Sequence, residues 1–320
     1  MIKFKITILI LIIIVASVSG LYIYDRQGKF EANIWSSDKS FNETDYFTLN
    51  ATNDSYKIVQ ITDLHLAKIF GLSNNKTLDF VETIIDTEKP DLVAVTGDLT
   101  LGLFNRTMLR TFADFMDKKE QLWVYILGNH DFQWGSGAYR YLSVLKDYKY
   151  CLFDVGYTNL GFGNKFAIIK DKDNNPIHTL TFLDTSSYKT TREQAEWYKW
   201  GINNLNNSFG ELNNTLFMHI PMQVVREHIE NVNERINPLK QEPYLYEYIK
   251  ELNQTKIIAS GHDHLNDYRV NIDGIEFVSC PSVTFGGYFR KDCARAVYIY
   301  NIYADRVDIS HKTQYDYNIK

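Results

Sequence analysis

The chain has 320 residues, of which 45% are hydrophobic and 23% charged, and its formal net charge is −5. This length suits one large domain or two small ones, and the composition is ordinary for a globular protein. The negative charge balance supplies no basic surface for nucleic acid, so we expect no nucleic-acid partner.

The N-terminal segment is first basic and then strongly apolar. Lys3 and Lys5 precede residues 6–24, which carry no charge. Two interpretations fit this pattern. One is a cleaved signal peptide, with the small residues 17–19 before Gly20 as the cleavage site. The other is a retained signal anchor, since about 20 apolar residues span a bilayer. Both predict the secretory pathway, with the domain either secreted or held by a single membrane anchor on the lumenal or extracellular side.

Residues 25–54 are polar and show no periodicity, which is typical of a linker or stalk. We therefore divide the chain into a signal segment (1–24), a linker (25–54) and one folded domain (55–320). Sequons for N-glycosylation crowd into the linker, and others are spread over the domain, which predicts a glycoprotein. The sequons start at Asn42, Asn50, Asn53, Asn75, Asn105, Asn206, Asn213 and Asn253.

From residue 56 the chain alternates between strand and helix patterns, which predicts a largely parallel sheet buried on both faces. After residue 264 only strands are predicted. Two mixed sheets packed face to face, with helices outside, account best for the whole order. Strands are predicted at 56–61, 91–96, 122–127, 165–170, 177–184, 255–260, 267–272, 275–280, 295–302 and 305–310. Helices are predicted near 76–88, 107–119, 137–146, 191–205 and 239–252.

The three cysteines are too few for a dense disulfide framework. Cys280 and Cys293 flank a loop rich in glycine and aromatic residues, so either one bridge or a reduced, buried pair fits the sequence. Cys151 is expected to be a small core residue.

Five short motifs carry metal-ligand side chains, and each follows an apolar run. Carboxylates, amide oxygens and imidazoles are ligands for divalent and trivalent metals. Because open sheets build their sites at the carboxyl ends of strands, we expect all five motifs to meet. Their joint occurrence in this order is hard to obtain by chance. The motifs are Asp63-Leu64-His65, Gly97-Asp98, Gly128-Asn129-His130-Asp131, Met218-His219-Ile220-Pro221 and Gly261-His262-Asp263-His264.

This set of motifs resembles the signature of calcineurin-like metallophosphoesterases over residues 56–309. The resemblance implies a four-layer α-β-β-α sandwich with two metal ions per chain. It also implies that Asp98 bridges the ions, because two nearby cations need a shared carboxylate. The donor set leaves their identity open among Fe, Zn and Mn. The first ion is then expected on Asp63, His65 and His264, and the second on Asn129, His219 and His262.

The motifs at 219–221 and 261–267 are most similar to those of small eukaryotic phosphatases related to purple acid phosphatases. Purple acid phosphatases carry a tyrosine three residues after the bridging aspartate, where this chain has Leu101. The tyrosinate ligand is therefore not expected here. The protein serine/threonine phosphatases have at that position an aspartate that pairs with their catalytic histidine. Asp267 is the candidate for that orienting role in this chain.

The resemblance implies hydrolysis of phosphate monoesters by a hydroxide that bridges the metals. His130 matches the family's histidine that is not a ligand, and we expect it to stabilise the transition state or to protonate the leaving oxygen. Asp131 and Asp263 are expected either to orient neighbouring imidazoles or to be structural. Arg140 and Arg290 are candidates for holding phosphate oxygens.

Two alternatives stay open from the sequence. A phosphodiesterase on the same scaffold, acting on cyclic nucleotides, nucleotide-linked esters or lipid head groups, would differ only in its loops. A non-catalytic binding protein would be marked by the loss of a ligand, and this chain keeps all seven ligands as well as His130.

Overall fold

The computed structural model describes residues 2–26, 28–68 and 74–319 of the chain. Within these ranges the strands form a seven-stranded and a six-stranded sheet. The helices are α1 (Ile2–Arg26), α2 (Asn74–Glu88), α3 (Asn105–Lys118), α4 (Ala138–Leu142), α5 (Arg192–Phe209), α6 (Gln223–His228) and α7 (Leu245–Leu252). The strands are β1 (Tyr46–Asn50), β2 (Tyr56–Ile61), β3 (Leu92–Thr96), β4 (Trp123–Ile126), β5 (Cys151–Leu152), β6 (Lys165–Lys170), β7 (Pro176–Phe182), β8 (Asn214–Phe217), β9 (Thr255–Ser260), β10 (Tyr268–Ile272), β11 (Ile275–Ser279), β12 (Ala296–Ile302) and β13 (Val307–Thr313).

Both sheets are mixed, with parallel strands at their centres. The larger sheet has the order β1-β6-β7-β8-β9-β11-β10, and the smaller one has the order β13-β12-β2-β3-β4-β5. Strands β2 to β5 are parallel to one another, as are β7, β8 and β9. The predicted alternation of strands and helices is therefore confirmed in the first part of the domain.

The core lies in three layers between and outside the two sheets. Ile58 of β2 packs with Phe217 of β8 in the layer between the sheets. The next residue, Val59, faces the opposite side and packs with Phe80 of α2 and Phe112 of α3. Residues of α5 and α7 cover the outer face of the larger sheet in the same way. Because each strand is buried on both sides, its pattern is a continuous apolar run. These four layers confirm the predicted fold class.

The segment predicted to be a polar linker is in part a component of the domain. Residues of β1 pair in parallel with β6 at the edge of the larger sheet, with Leu49 opposite Ile169. Trp35 is only 5% exposed and packs against the outer core of that sheet. The prediction of a stalk over 25–54 is therefore wrong for these residues. Although the segment is polar in composition, backbone pairing with an edge strand and burial of a few apolar side chains stabilise it as part of the domain.

Two helices are shorter than the sequence pattern predicts. Instead of one helix over 137–146, α4 is followed by a short 3-10 turn at Leu145–Asp147. Helix α7 begins only at Leu245, and Tyr244 before it has a left-handed backbone with φ +66°. Pro243 explains the late start, because a proline disfavours helical geometry in the residue before it.

The structure bears on the predicted membrane anchor and on one of the predicted glycosylation sites. No helix among the residues that the structure describes is long and apolar enough to cross a membrane. The secretory route stays a prediction. Asn105 is 1% exposed, and its Nδ2 donates to the Asp131 carbonyl at 2.7 Å. That burial leaves no room for a glycan on Asn105 in the folded domain.

The three cysteines are free thiols in the structure. Cys280 is buried, with Sγ 3.7 Å from the carbonyl oxygens of Gln60 and Ala296. Of the two alternatives for Cys280 and Cys293, the structure shows the reduced pair. Cys151 lies in the short edge strand β5 and is only partly buried, so the prediction of a core position holds only in part.

Candidate metal centre

The five motifs meet at one end of the two packed sheets. Strands β2, β3 and β4 of the smaller sheet and β8 and β9 of the larger sheet all end there, and the motif residues follow them directly. Contacts across the sheets hold the loops together. The amide of His262 donates to Asp63 Oδ2 at 2.9 Å, and the His219 ring is bonded through Nδ1 to the Thr96 carbonyl at 2.7 Å.

Asp63, His65 and His264 form the first group of ligand side chains. Their ligand atoms all lie within 4.8 Å of one another. Nε2 of His65 is 2.9 Å from Nε2 of His264, and Asp63 Oδ1 is 3.6 Å and 3.4 Å from these two nitrogens. All three side chains are buried. This is the set that the sequence assigns to the first ion.

Asp98, His219 and His262 form the second group, again with ligand atoms within 4.8 Å of one another. Asp98 Oδ2 is 3.3 Å from His219 Nε2. Asn129 adds an amide oxygen, because its Oδ1 also lies 3.3 Å from His219 Nε2. The structure thus brings together the residues that the sequence assigns to the second ion.

Asp98 lies between the two groups. Its Oδ2 is 3.3 Å from His219 Nε2 in the second group and 3.7 Å from His65 Nε2 in the first. The other oxygen, Oδ1, accepts from the His130 amide at 2.7 Å, which fixes the orientation of the carboxylate. One carboxylate that faces both groups has the position that a bridging ligand requires.

Unpartnered polar atoms at this site fit a bound cation. Asp63 Oδ1 and the Nδ1 atoms of His65, His262 and His264 are buried without a hydrogen-bond partner. Such atoms cost about 1–3 kcal/mol each when they stay unsatisfied. For Asp63 Oδ1 and His262 Nδ1, a bound metal ion would supply the missing partner. Carboxylates, an amide oxygen and imidazoles without thiolate suit Fe, Zn or Mn.

The carboxyl groups of both clusters are ionised at neutral pH. Burial alone would raise their pKa values, but the imidazoles around them have the stronger effect. His219, followed by His264 and His65, holds the pKa of Asp63 well below its usual range. For Asp98, His219 and His65 lower the pKa to about 2. Conversely, burial would lower the pKa of His219, but Asp98 and Asp63 raise it to about 10. A metal ion at this position therefore competes with a proton.

Backbone strain is concentrated at the ligand positions. Asp63, His65, Asp98 and His262 have φ values of +53°, +45°, +48° and +76°. This left-handed region costs about 1–3 kcal/mol for a residue with a side chain and persists only where the surroundings enforce it. The strain turns side chains at successive strand ends toward one point, which a regular strand exit would not do.

Gly97 and Gly128 lie so close to ligand residues that a side chain at either position would overlap them. A β-carbon at position 97, where φ is +98°, would overlap the His219 ring. A β-carbon at position 128 would overlap Oδ1 and the backbone nitrogen of Asp98. Only glycine lets these two loops pass the ligand side chains at this distance.

His130 borders the centre without belonging to either group. Its side chain is 34% exposed, and its Nε2 is 4.0 Å from Asp98 Oδ2. Nδ1 of the same ring forms a short hydrogen bond with Oε1 of Gln133. Nε2 of the same ring faces the ligand side chains.

Of the two alternatives given for Asp131 and Asp263, the contacts in the structure fit the structural role. Asp131 accepts from the amides of Gly128 at 2.8 Å and Thr100 at 3.0 Å, so it holds loop backbone. Asp263 likewise accepts from a backbone amide, that of Asn237, at 3.3 Å.

Asp267 pairs with His311 at 2.7 Å and with the Tyr298 hydroxyl at 2.7 Å. Its expected pairing with His130 is wrong, because Asp267 precedes β10 of the larger sheet and faces β12 and β13 of the smaller sheet.

The two arginines considered for phosphate binding lie in different segments of the chain, one in a loop and one in a short helix. Arg290 is bonded to Asp292 at 3.0 Å and 2.7 Å and to the Asn233 carbonyl. Its guanidinium therefore holds its own loop in this structure. Arg140 belongs to the short helix α4 and is half-buried. A phosphate contact by either arginine stays a prediction.

Four residues that the sequence did not single out contact the centre. Gln133 is bonded to His130, and Asn237 Nδ2 lies 3.0 Å from His262 Nε2. The Tyr288 ring stacks on His264 with centroids 4.2 Å apart, and Tyr188 meets His262 edge-on at 5.3 Å. Gln133 could have been found from its place three residues after His130. The other three come from distant loops and carry no local signal.

Comparison with known proteins identifies the family. A family model described as calcineurin-like phosphoesterase matches residues 56–266. The chain therefore belongs to the calcineurin-like phosphoesterases, as the motif resemblance implied.

Two relatives with named functions are similar in sequence. The phosphatase DCR2 of Saccharomyces cerevisiae is 26% identical over 271 residues, which cover 68% of this chain but only 45% of that protein. An Arabidopsis thaliana protein named probable inactive purple acid phosphatase 14 is 24% identical over 302 residues, which cover 77% of this chain and 75% of the relative.

Solved structures share the fold. A dimetal phosphatase from Danio rerio superimposes with a TM-score of 0.59 at 13% identity, covering 82% of this chain and 97% of that one. GAP50 of Plasmodium, described as the anchor in the inner membrane complex, gives a TM-score of 0.55 at 11% identity, with 82% and 84% covered. At these identities the likeness concerns the fold alone.

Proposed function

We propose that this protein is a dinuclear metal-dependent phosphatase that hydrolyses phosphate monoesters. The observation that carries the proposal is the position of Asp98, with Oδ2 3.3 Å from His219 in one ligand group and 3.7 Å from His65 in the other. Membership of the calcineurin-like phosphoesterases supports phosphoric ester hydrolysis as the reaction class.

The ligand side chains would hold two ions that share Asp98. When bound, such a pair of cations lowers the pKa of a coordinated water molecule and offsets the charge that develops on phosphate oxygens. The protein's contribution is a fixed and buried set of donors. Because strained loops and backbone hydrogen bonds hold these side chains, little rearrangement is needed when substrate arrives. One ion would lie on Asp63, His65 and His264, and the other on Asn129, His219 and His262.

His130 is placed to serve as the acid of the reaction. Gln133 fixes its ring through Nδ1, so that Nε2 is the atom turned toward the centre. With 34% of its side chain exposed, the ring can contact a substrate that approaches the centre from solvent. A proton on Nε2 would then pass to the leaving oxygen. Such a transfer contributes about 10²–10⁴-fold to a rate.

The test compares two model substrates on the full chain. The protein is loaded separately with Mn²⁺, Zn²⁺ and Fe²⁺, and its hydrolysis of p-nitrophenyl phosphate is compared with that of bis-p-nitrophenyl phosphate. Metal content is measured in parallel, and Asp98→Asn serves as the inactive control. Two metals per chain with a preference for the monoester support the proposal. A preference for the diester would replace it with a phosphodiesterase, and two metals with neither activity would point to a binding protein.

We also propose that the protein enters the secretory pathway. The uncharged residues 6–24 support this route, as do the sequons at Asn42, Asn50 and Asn53, whose side chains are exposed. The test is expression in eukaryotic cells with endoglycosidase treatment. A mobility shift that disappears when the three asparagines are changed to glutamine supports the proposal. Recovery of unglycosylated protein from the cytosol would refute it.

A further inference from the structure

His262 offers its two ring nitrogens to different surroundings. Nε2 is 3.0 Å from Nδ2 of Asn237, whereas Nδ1 is buried without a partner. The same residue belongs to the second ligand group with Asp98 and His219. Since Nε2 is already engaged by the amide, Nδ1 is the nitrogen left for a metal ion.

The ring of a ligand histidine is commonly oriented by a hydrogen bond from its other nitrogen. If Nδ1 gives its lone pair to a metal, the neutral ring carries its proton on Nε2, and that proton requires an acceptor. The side-chain amide of Asn237 can supply one, because a half-turn about its terminal bond exchanges its nitrogen and oxygen at the same distance. The contact at 3.0 Å then becomes a hydrogen bond from Nε2–H to Oδ1.

The segment that carries Asn237 is fixed to the ligand loop at several points. The Asn237 amide donates to both carboxylate oxygens of Asp263 at 3.3 Å, beside His262. Three residues earlier, Glu234 accepts from the Leu265 amide at 2.6 Å. Pro238 follows directly and disfavours a helical backbone at Asn237. These backbone contacts on both sides of Asn237 hold its side-chain amide next to the His262 ring.

Tyr188 closes the same side of the ring. It meets the His262 ring edge-on, with centroids 5.3 Å apart. The His219 ring packs against His262 from the other side, with centroids 5.1 Å apart. The imidazole is thus confined between two rings, and Asn237 determines which nitrogen faces the centre.

We propose that Asn237 is a positioning residue that holds His262 with Nδ1 toward the second metal ion, by accepting a hydrogen bond from Nε2. The proposal rests on the metal centre described under the proposed function, and it assigns a role to a residue outside the five motifs. Loss of such an outer partner lowers metal affinity by about 10–100-fold.

The test measures zinc binding to the full-length protein by competition with a chelator, independently of activity. Asn237→Leu keeps the approximate size but removes the acceptor, and Asn237→Asp keeps acceptor oxygens. Asn233→Ala is the matched control, because it lies in the same segment but bonds to the Leu265 carbonyl at 2.8 Å rather than to a ligand. We expect Asn237→Leu to weaken one of the two zinc sites by about 10–100-fold, while Asn237→Asp and Asn233→Ala stay within a few-fold of wild type.

Three results would overturn the proposal. Unchanged zinc affinity in Asn237→Leu would show that the side chain does not support the ligand. Equal weakening in Asn237→Leu and Asn237→Asp would exclude the acceptor role, and equal weakening in Asn233→Ala would assign the effect to the segment rather than to the amide. A wild-type protein that binds no zinc would instead refute the metal centre, and with it the proposed function.

Discussion

Gln133→Ala tests whether His130 works through a fixed ring. In the structure Gln133 Oε1 is bonded to Nδ1 of His130, and the Gln133 amide donates to the His130 carbonyl at 3.1 Å. The substitution removes the first bond and keeps the second. A neutral hydrogen bond contributes about 1 kcal/mol, so losing it should lower kcat by roughly fivefold. Removing the imidazole itself, in His130→Ala, should lower kcat by about 10²–10⁴-fold.

The assay is a double-mutant cycle on p-nitrophenyl phosphate at saturating metal. The cycle needs kcat and KM for wild type, Gln133→Ala, His130→Ala and the double variant, with metal content measured for each. If Gln133 acts only through His130, it has no further effect once the imidazole is gone, and the two losses are not additive. We expect the metal content to stay at two per chain in all four proteins, because neither side chain belongs to a ligand group.

An equal loss of rate from Gln133→Ala in both backgrounds would refute this reasoning, since it would show that Gln133 acts independently of His130. Loss of a metal in His130→Ala would make that histidine a ligand or a structural residue. Gln133→Glu is the matched control. It keeps an acceptor at the same position and should hold kcat within a few-fold of wild type.

Three further predictions concern the metal centre. Asp98→Asn should abolish both activity and one bound metal, because an amide cannot neutralise two cations; full activity in this variant would exclude the bridging role. Gly128→Ala should lower the free energy of unfolding by about 1–3 kcal/mol and reduce metal content, because its methyl group would overlap Asp98. The measurements are thermal unfolding and metal analysis, and wild-type values in both would contradict the close approach of Gly128 to Asp98. Chelation should lower the melting temperature, and metal restored at about a thousand times its Kd should return about 4 kcal/mol of stability, provided that it binds only the folded state. Identical unfolding curves with and without metal would contradict the prediction that metal stabilises the folded state.

Local sequence patterns predicted the alternation of strands and helices in the first part of the domain and the residues that the structure brings together in two candidate ligand groups. The central strands can be predicted from apolar runs, because strands buried on both faces do not alternate between apolar and polar residues. The candidate ligands can be predicted from sequence because each lies within a few residues of a strand end, as Asp63 does after β2 and His219 after β8. Where a residue's role depends only on its immediate neighbours and the end of its own strand, local sequence is enough.

The residues that support the candidate site could not be found from local patterns, because they reach it through tertiary contacts. Asp267 lies three residues after His264, yet it pairs with His311 of β13, because the packing of the two sheets brings these distant residues together. Asn237 reaches His262 from a loop that carries no motif. The polar segment before the domain contributes β1 because an edge strand of the larger sheet offers it backbone partners. These contacts join parts of the chain that are far apart in sequence, and the free energy of such pairings depends on the assembled sheets rather than on local composition.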